Sequence, residues 1–139
     1  MKFEIPDFNG SIPSKYTCDG EDVNPRIIIS EIPEEAVSLA VVVDDPDAPG
    51  KTFDHWIAWN LPLDDIEEGE EPGTQGTNNF NRKGYRGPCP PGETHEYRFK
   101  VYALSKKLNL KEGSRKRDLE KAMKGKIVDR SVLKAEYGR

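Results

Sequence analysis

The sequence predicts a mainly β protein, an antiparallel β-sandwich of two sheets with one or two short helices. Three observations carry that expectation. Short apolar runs rich in β-branched residues recur, at Ile27-Ile28-Ile29 and from Leu39 to Val43. Turn-forming residues punctuate the chain throughout, with 12 glycines and 11 prolines among 139 residues. Helical periodicity is confined to one late stretch.

In chain order, Asn9-Gly10 is expected to close a hairpin between the strand-like Phe3 to Ile5 and Ile12. Cys18-Asp19-Gly20 and Asn24-Pro25 read as turns, and Ile27-Ile28-Ile29 as a buried strand. A second strand at 38–43 should be covered on both faces. It is expected to stop at Asp44-Asp45-Pro46-Asp47-Ala48-Pro49-Gly50, where two prolines and a glycine oppose a ladder and leave three carboxylates on a turn. Alternation then resumes, with His55, Ile57, Trp59 and Leu61 on one face and Trp56, Ala58 and Asn60 on the other. The acidic, glycine-rich run from Asp64 to Gly76 reads as a solvated surface loop.

Prolines and glycines rule out helix or central strand through Gly84 to Gly92. Beyond them a strand places His95, Tyr97, Phe99, Val101 and Ala103 opposite Glu96, Arg98 and Lys100. The helix is predicted over 115–124, with Ser114 as N-cap, Leu119, Ala122 and Met123 as its buried stripe, and Gly125 as its stop. Ile127 to Leu133 is read as a last strand and 134–139 as a tail. No repeat or linker breaks the chain, so residues 1–139 are expected to form a single domain.

Composition narrows the function. A net charge of −4 argues against nucleic acid as the main partner. No apolar run has the length of a membrane span and MKFEIPDF has no signal-peptide core, so a cytoplasmic location is expected. Cys18 and Cys89 lack CxxC spacing, which argues against a zinc site built on cysteine pairs. Abundant Lys and Glu beside a single glutamine, Gln75, is a thermophile-like composition, a setting in which intracellular disulfides also occur.

Both histidines of the chain open the inward face of a strand after a Pro/Gly-rich loop. If those strands are neighbours, His55, His95 and the Asp45/Asp47 turn converge on one pocket. Imidazole N–H groups, backbone N–H groups of Gly87 and Gly92 and the Tyr97 hydroxyl would then hold an anion, while the carboxylates orient the rings and favour imidazolium. Other readings stay open: each histidine finishing its strand with a backbone hydrogen bond, a two-histidine-one-carboxylate metal site, or a Cys89–His95 nucleophilic dyad. Against the catalytic readings, neither HExxH nor GxSxG occurs, and no helix N-terminus is available to activate Cys89.

Taken together, DDPDAP, the strand HWIAWNLP and the segment GYRGPCPPGETHEY resemble the phosphatidylethanolamine-binding protein family, also called Raf kinase inhibitor-like proteins, in its compact bacterial and archaeal branch. The resemblance covers residues 5–137. It implies a two-sheet sandwich with a pocket for phosphate-like anions, no metal and no cofactor, in which Asp45 and Asp47 match the pocket aspartates and His55 and His95 the histidines. Gly87, Pro90 and Tyr97 line the rest. It also implies that the loops of Cys18 and Cys89 come together, so a disulfide or contact between them is expected. Two departures stand out: Glu96 occupies a place where the family usually has a basic residue, and the C-terminal helix of longer members is not expected after Tyr137. The function implied is non-enzymatic, a binding or regulatory protein for a phosphate-bearing small ligand, with a kinase or serine protease as protein client. A small metal-dependent or acid/base hydrolase using the His/Asp cluster is the alternative.

Overall fold

The computed structural model describes residues 1–138, which form two antiparallel sheets and one α-helix. A small sheet pairs β1 (Lys2–Glu4) with β2 (Ile28–Ser30). The large sheet has the order β5-β4-β3-β6-β7, formed by Thr74–Gln75, Phe53–Leu61, Ser38–Asp45, His95–Leu104 and Ile127–Tyr137. Helix α1 spans Lys116–Met123.

The central strand β3 is buried along its whole length, as its run of β-branched residues requires. Val41 and Val43 face a core shared with Trp56, Phe99 and Val101 of the same sheet and with Ile27 and Ile29 of the small-sheet side. Ala40 and Val42 face the other way, onto Ile57, Trp59, Leu119 and Met123, so α1 covers the opposite face of the sheet. The buried face of the helix is the predicted stripe, Leu119 and Met123 with Ala122 partly covered, and Gly125 stops it at φ 78°.

Several expectations are corrected. Residues 2–4 pair with β2 and not with Ile12; Ile12 instead donates its N–H to Glu136, whose own N–H reaches Gly10. The last strand continues to Tyr137, so the predicted tail is ladder, and Tyr137 lies opposite His95. Arg139 falls outside the described residues. Arg115, not Ser114, occupies the N-cap; its backbone N–H is taken by Asp118, while the Ser114 hydroxyl donates to Lys111. The acidic run is only partly a solvated loop. Its end forms β5, Ile66 is buried against Ile27, and Asp65 and Glu71 accept from the backbone N–H groups of Ile29 and Tyr85 at 2.8 Å each.

The largest correction concerns Asp44 and Asp45. Neither is on a turn: both belong to β3, opposite Asp54 and Phe53, and only Asp47 is displayed beyond Pro46. Asp44 is fully buried because cations from three places reach it. Arg98 contributes Nε at 2.8 Å, Lys100 Nζ lies at 3.1 Å, and Lys116, the first residue of α1, at 3.3 Å while also meeting Asp54 at 2.7 Å. Burial pushes the Asp44 carboxyl up, but Arg98, Lys100 and Lys116 together outweigh it and hold it below the usual carboxylate value. Arg98 and Lys100, read from alternation as outward residues, thus point at this carboxylate.

Removing one partner of a buried ionic cluster leaves its counter-charges uncompensated. Asp44→Ala should cost about 3–5 kcal/mol in urea unfolding at pH 7. Because the folded-state value of Asp44 lies below its ordinary 3.8, its contribution is complete above that pH and is lost as pH falls through the folded value. The variant should therefore lack that part of the acid-unfolding limb, and a variant as stable as the wild type would show the cluster to be energetically neutral.

Candidate functional site

Two irregularities in β4 place the site. Its register against β3 contains an extra residue at His55, between the pairs Val43–Trp56 and Asp44–Asp54, and another near Asn60, which adopts φ 55°. A bulge lets consecutive side chains share one face. His55 accordingly joins the Trp56 side of the sheet and not, as strict alternation suggests, that of Ile57 and Trp59. The ladder interrupted there is replaced by a loop: Arg86 N–H donates to the His55 carbonyl at 3.1 Å, and the Arg86 carbonyl receives the His55 ring nitrogen Nδ1 at 2.8 Å. A ring nitrogen can meet a carbonyl only as a donor, so this contact puts a proton on Nδ1.

From β6, His95 directs Nδ1 at Asp45, 2.6 Å from Oδ2, and the other Asp45 oxygen accepts the Asp47 N–H at 2.8 Å. Both histidines lie near Tyr97, with ring centroids 5.4 Å (His55) and 6.3 Å (His95) from its own. Around them lies a pocket of about 190 Å³ lined by apolar side chains as well: Ala48, Pro49, Phe53, Phe80, Pro90 and Pro91. Phe80 is held in the pocket lining beside Asn79, whose side-chain oxygen and backbone N–H exchange two hydrogen bonds with the Asp54 backbone, at 2.7 and 2.9 Å. Its ring packs edge-on against Phe53 and His55.

Over residues 5–138 the chain matches the family model described as phosphatidylethanolamine-binding protein. It is 51% identical to a UPF0098 protein of Pyrococcus abyssi, covering 92% of this chain and 79% of that one, and 44% identical to a UPF0098 protein of Methanothermobacter thermautotrophicus, covering 100% and 99%. The chain belongs to the phosphatidylethanolamine-binding protein family. Solved structures agree: a phosphatidylethanolamine-binding protein homolog from Chlamydia trachomatis superposes with a TM-score of 0.90 at 36% identity, over 95% of this chain and 92% of that one. Escherichia coli YbcL, described as a new member of the mammalian family, gives 0.91 at 25% identity, over 99% and 98%.

In this family member, Asp45, His55, Pro90, His95 and Tyr97 line one pocket, whereas Asp47 and Gly87 do not. The Asp47 carboxylate accepts the backbone N–H of Glu96 at 2.8 Å instead of a histidine. Gly87 spends its N–H on Asp22 at 2.7 Å, so it has none for a pocket anion. Its role is close approach, since a Cβ there would lie 2.0 Å from the Tyr16 carbonyl oxygen. Sequence reasoning missed Phe53 and Phe80, because the bulge and the loop that bring them in leave no periodic signal.

The electrostatics differ from the expected pair of imidazolium rings at His55. Burial pushes the His55 ring below its ordinary 6.5, against the raising effect of the Arg86 carbonyl and of Asp45. Its uncharged ring, with Nδ1–H committed to Arg86, retains an acceptor at Nε2. Cys89 carries no thiol for a dyad with His95, because it is bonded to Cys18, with Cα atoms 5.5 Å apart. Among the described residues no group of three or more His, Cys, Asp or Glu side chains is arranged to hold a metal ion.

The disulfide closes a separation of 71 residues and both cysteines are exposed. Reduction should lower the unfolding free energy by about 2–4 kcal/mol, read from urea titrations with and without dithiothreitol. No change on reduction would mean that packing alone holds the loop of Pro90 and Pro91.

Proposed function

We propose that this chain is a non-catalytic binding protein whose histidine pocket takes a phosphate-type anion as its polar head. The observation that supports this most is the convergence of His55 and His95 on one small cavity with Nδ1 of both rings held, by Arg86 and by Asp45, and in this reading Nε2 of each ring turns to the ligand. Family membership supports a binding or regulatory role in the broader sense. Inhibition of a kinase or a serine protease is a further step in this reading and is tested by adding the protein, with and without phosphate, to such enzymes. The alternative, a metal-dependent or acid/base hydrolase using the His/Asp cluster, is separated from this reading by metal analysis of the purified protein.

The two rings take different parts in this proposal. His95, beside the Asp45 carboxylate, is oriented to donate from Nε2 when charged. His55, disfavoured as a cation, meets an anion only by gaining a proton or by accepting one from a protonated oxyanion. Binding is therefore coupled to proton uptake.

Calorimetric titration with sulfate and with phosphoethanolamine from pH 5.5 to 8 tests this. Sulfate keeps its charge across the range, so any pH dependence in its binding belongs to the protein. Because the folded-state value of His55 lies below 6.5, sulfate affinity should rise most steeply below that pH. His55→Ala should flatten this rise, and His95→Ala should weaken binding by about 1.5–3 kcal/mol, roughly tenfold to a hundredfold. Affinity that is flat with pH and unchanged in both variants would overturn the proposal.

A further inference from the structure

Next to the histidine pocket lies a second cleft, of about 140 Å³, lined by Cys18, Asp22, Phe80, Arg82, Arg86 and Gly87. Phe80 lines both spaces and forms a wall between them. The Cys18–Cys89 bond ties them together again, with Cys18 on the cleft and Cys89 on the pocket. Arg86 also serves both: its carbonyl fixes the His55 ring, while its guanidinium lines the cleft.

The charges in the cleft do not balance. Asp22, in the left-handed region at φ 59°, divides its carboxylate between the Gly87 N–H at 2.7 Å and Arg86 Nη1 at the longer distance of 3.6 Å. Arg82 is exposed, and its guanidinium makes no hydrogen bond or ion pair among the described residues; only its backbone is engaged, by Asn78. Two arginines thus line a cleft that holds one carboxylate, and that carboxylate is engaged by Arg86 and the Gly87 N–H. On a chain of net charge −4, an anion gains nothing from the overall field, so such a local excess is what would hold it.

We infer that the pocket and the cleft form one bipartite site for ligands carrying two anionic groups on a flat apolar spacer. The first group, a phosphate, sits among His55, His95 and Tyr97; the spacer lies across Phe80; the second, a carboxylate or another phosphate, meets Arg82 and Arg86. A guanidinium fork suits either oxyanion. This inference rests on the proposed anion pocket, and the test separates the two.

Phenyl phosphate and 4-carboxyphenyl phosphate differ only in the second acid. Calorimetry on the wild type should show the carboxylated compound binding about fivefold to tenfold more tightly. Arg82→Ala should abolish that gain while leaving phenyl phosphate within about twofold, and Arg82→Glu should make the carboxylated compound the weaker ligand. Thermal unfolding of both variants checks that this exposed substitution leaves the fold intact. If phenyl phosphate binds but the carboxylate adds nothing, or its gain survives Arg82→Glu, the bipartite site is overturned and the histidine pocket stands. Absence of phenyl phosphate binding overturns both.

Discussion

Two adjacent carboxylates at the end of the most buried strand organise this molecule. Successive side chains of a strand point to opposite faces, so Asp44 and Asp45 are sent into different halves of the protein. Asp44 collects Arg98, Lys100 and Lys116 on the helix side, which secures α1 to the sheet. Asp45 holds His95 on the other side, where the pocket lies. A carboxylate as buried as Asp44 remains ionised only because the fold supplies its partners. The scaffold and the site are therefore anchored at neighbouring positions of one strand.

Most of the architecture was legible in the sequence. The apolar runs of β2 and β3, the alternation of β6 and the amphipathic pattern of α1 each reflect a local period that burial enforces. What escaped was non-local or aperiodic. The partner of β1 lies some 25 residues away, and no turn signal reveals it. The prolines after Asp45 marked a strand end correctly in kind, but they do not prevent the two preceding residues from pairing. The continuation of β7 past Leu133 is decided by the length of β6 beside it.

The lining of the candidate pocket was legible in its residue types and less so in its geometry. Asp45, His55, His95 and Tyr97 do meet, yet His55 reaches the pocket through a bulge that a count of alternating residues assigns to the wrong face. Asp47 and Gly87 are near the pocket in sequence, but backbone and carboxylate partners claim their polar groups. The charge state of His55 could not be read from its neighbours in the chain. It depends on how completely Phe53, Phe80 and Tyr97 exclude water, a property of the assembled tertiary structure.

The pocket draws on the end of β3, the bulge of β4, the loop at Phe80, the proline segment at 89–91 and the start of β6. No single element contains it, and its parts come together only when β3, β4 and β6 have found their register. Such topologies form slowly, because long loops must close before their contacts contribute. The assembled pocket is consequently a reporter of completed folding: an intermediate with correct secondary structure but a slipped β3–β4 register would carry every residue of the pocket and form no cavity.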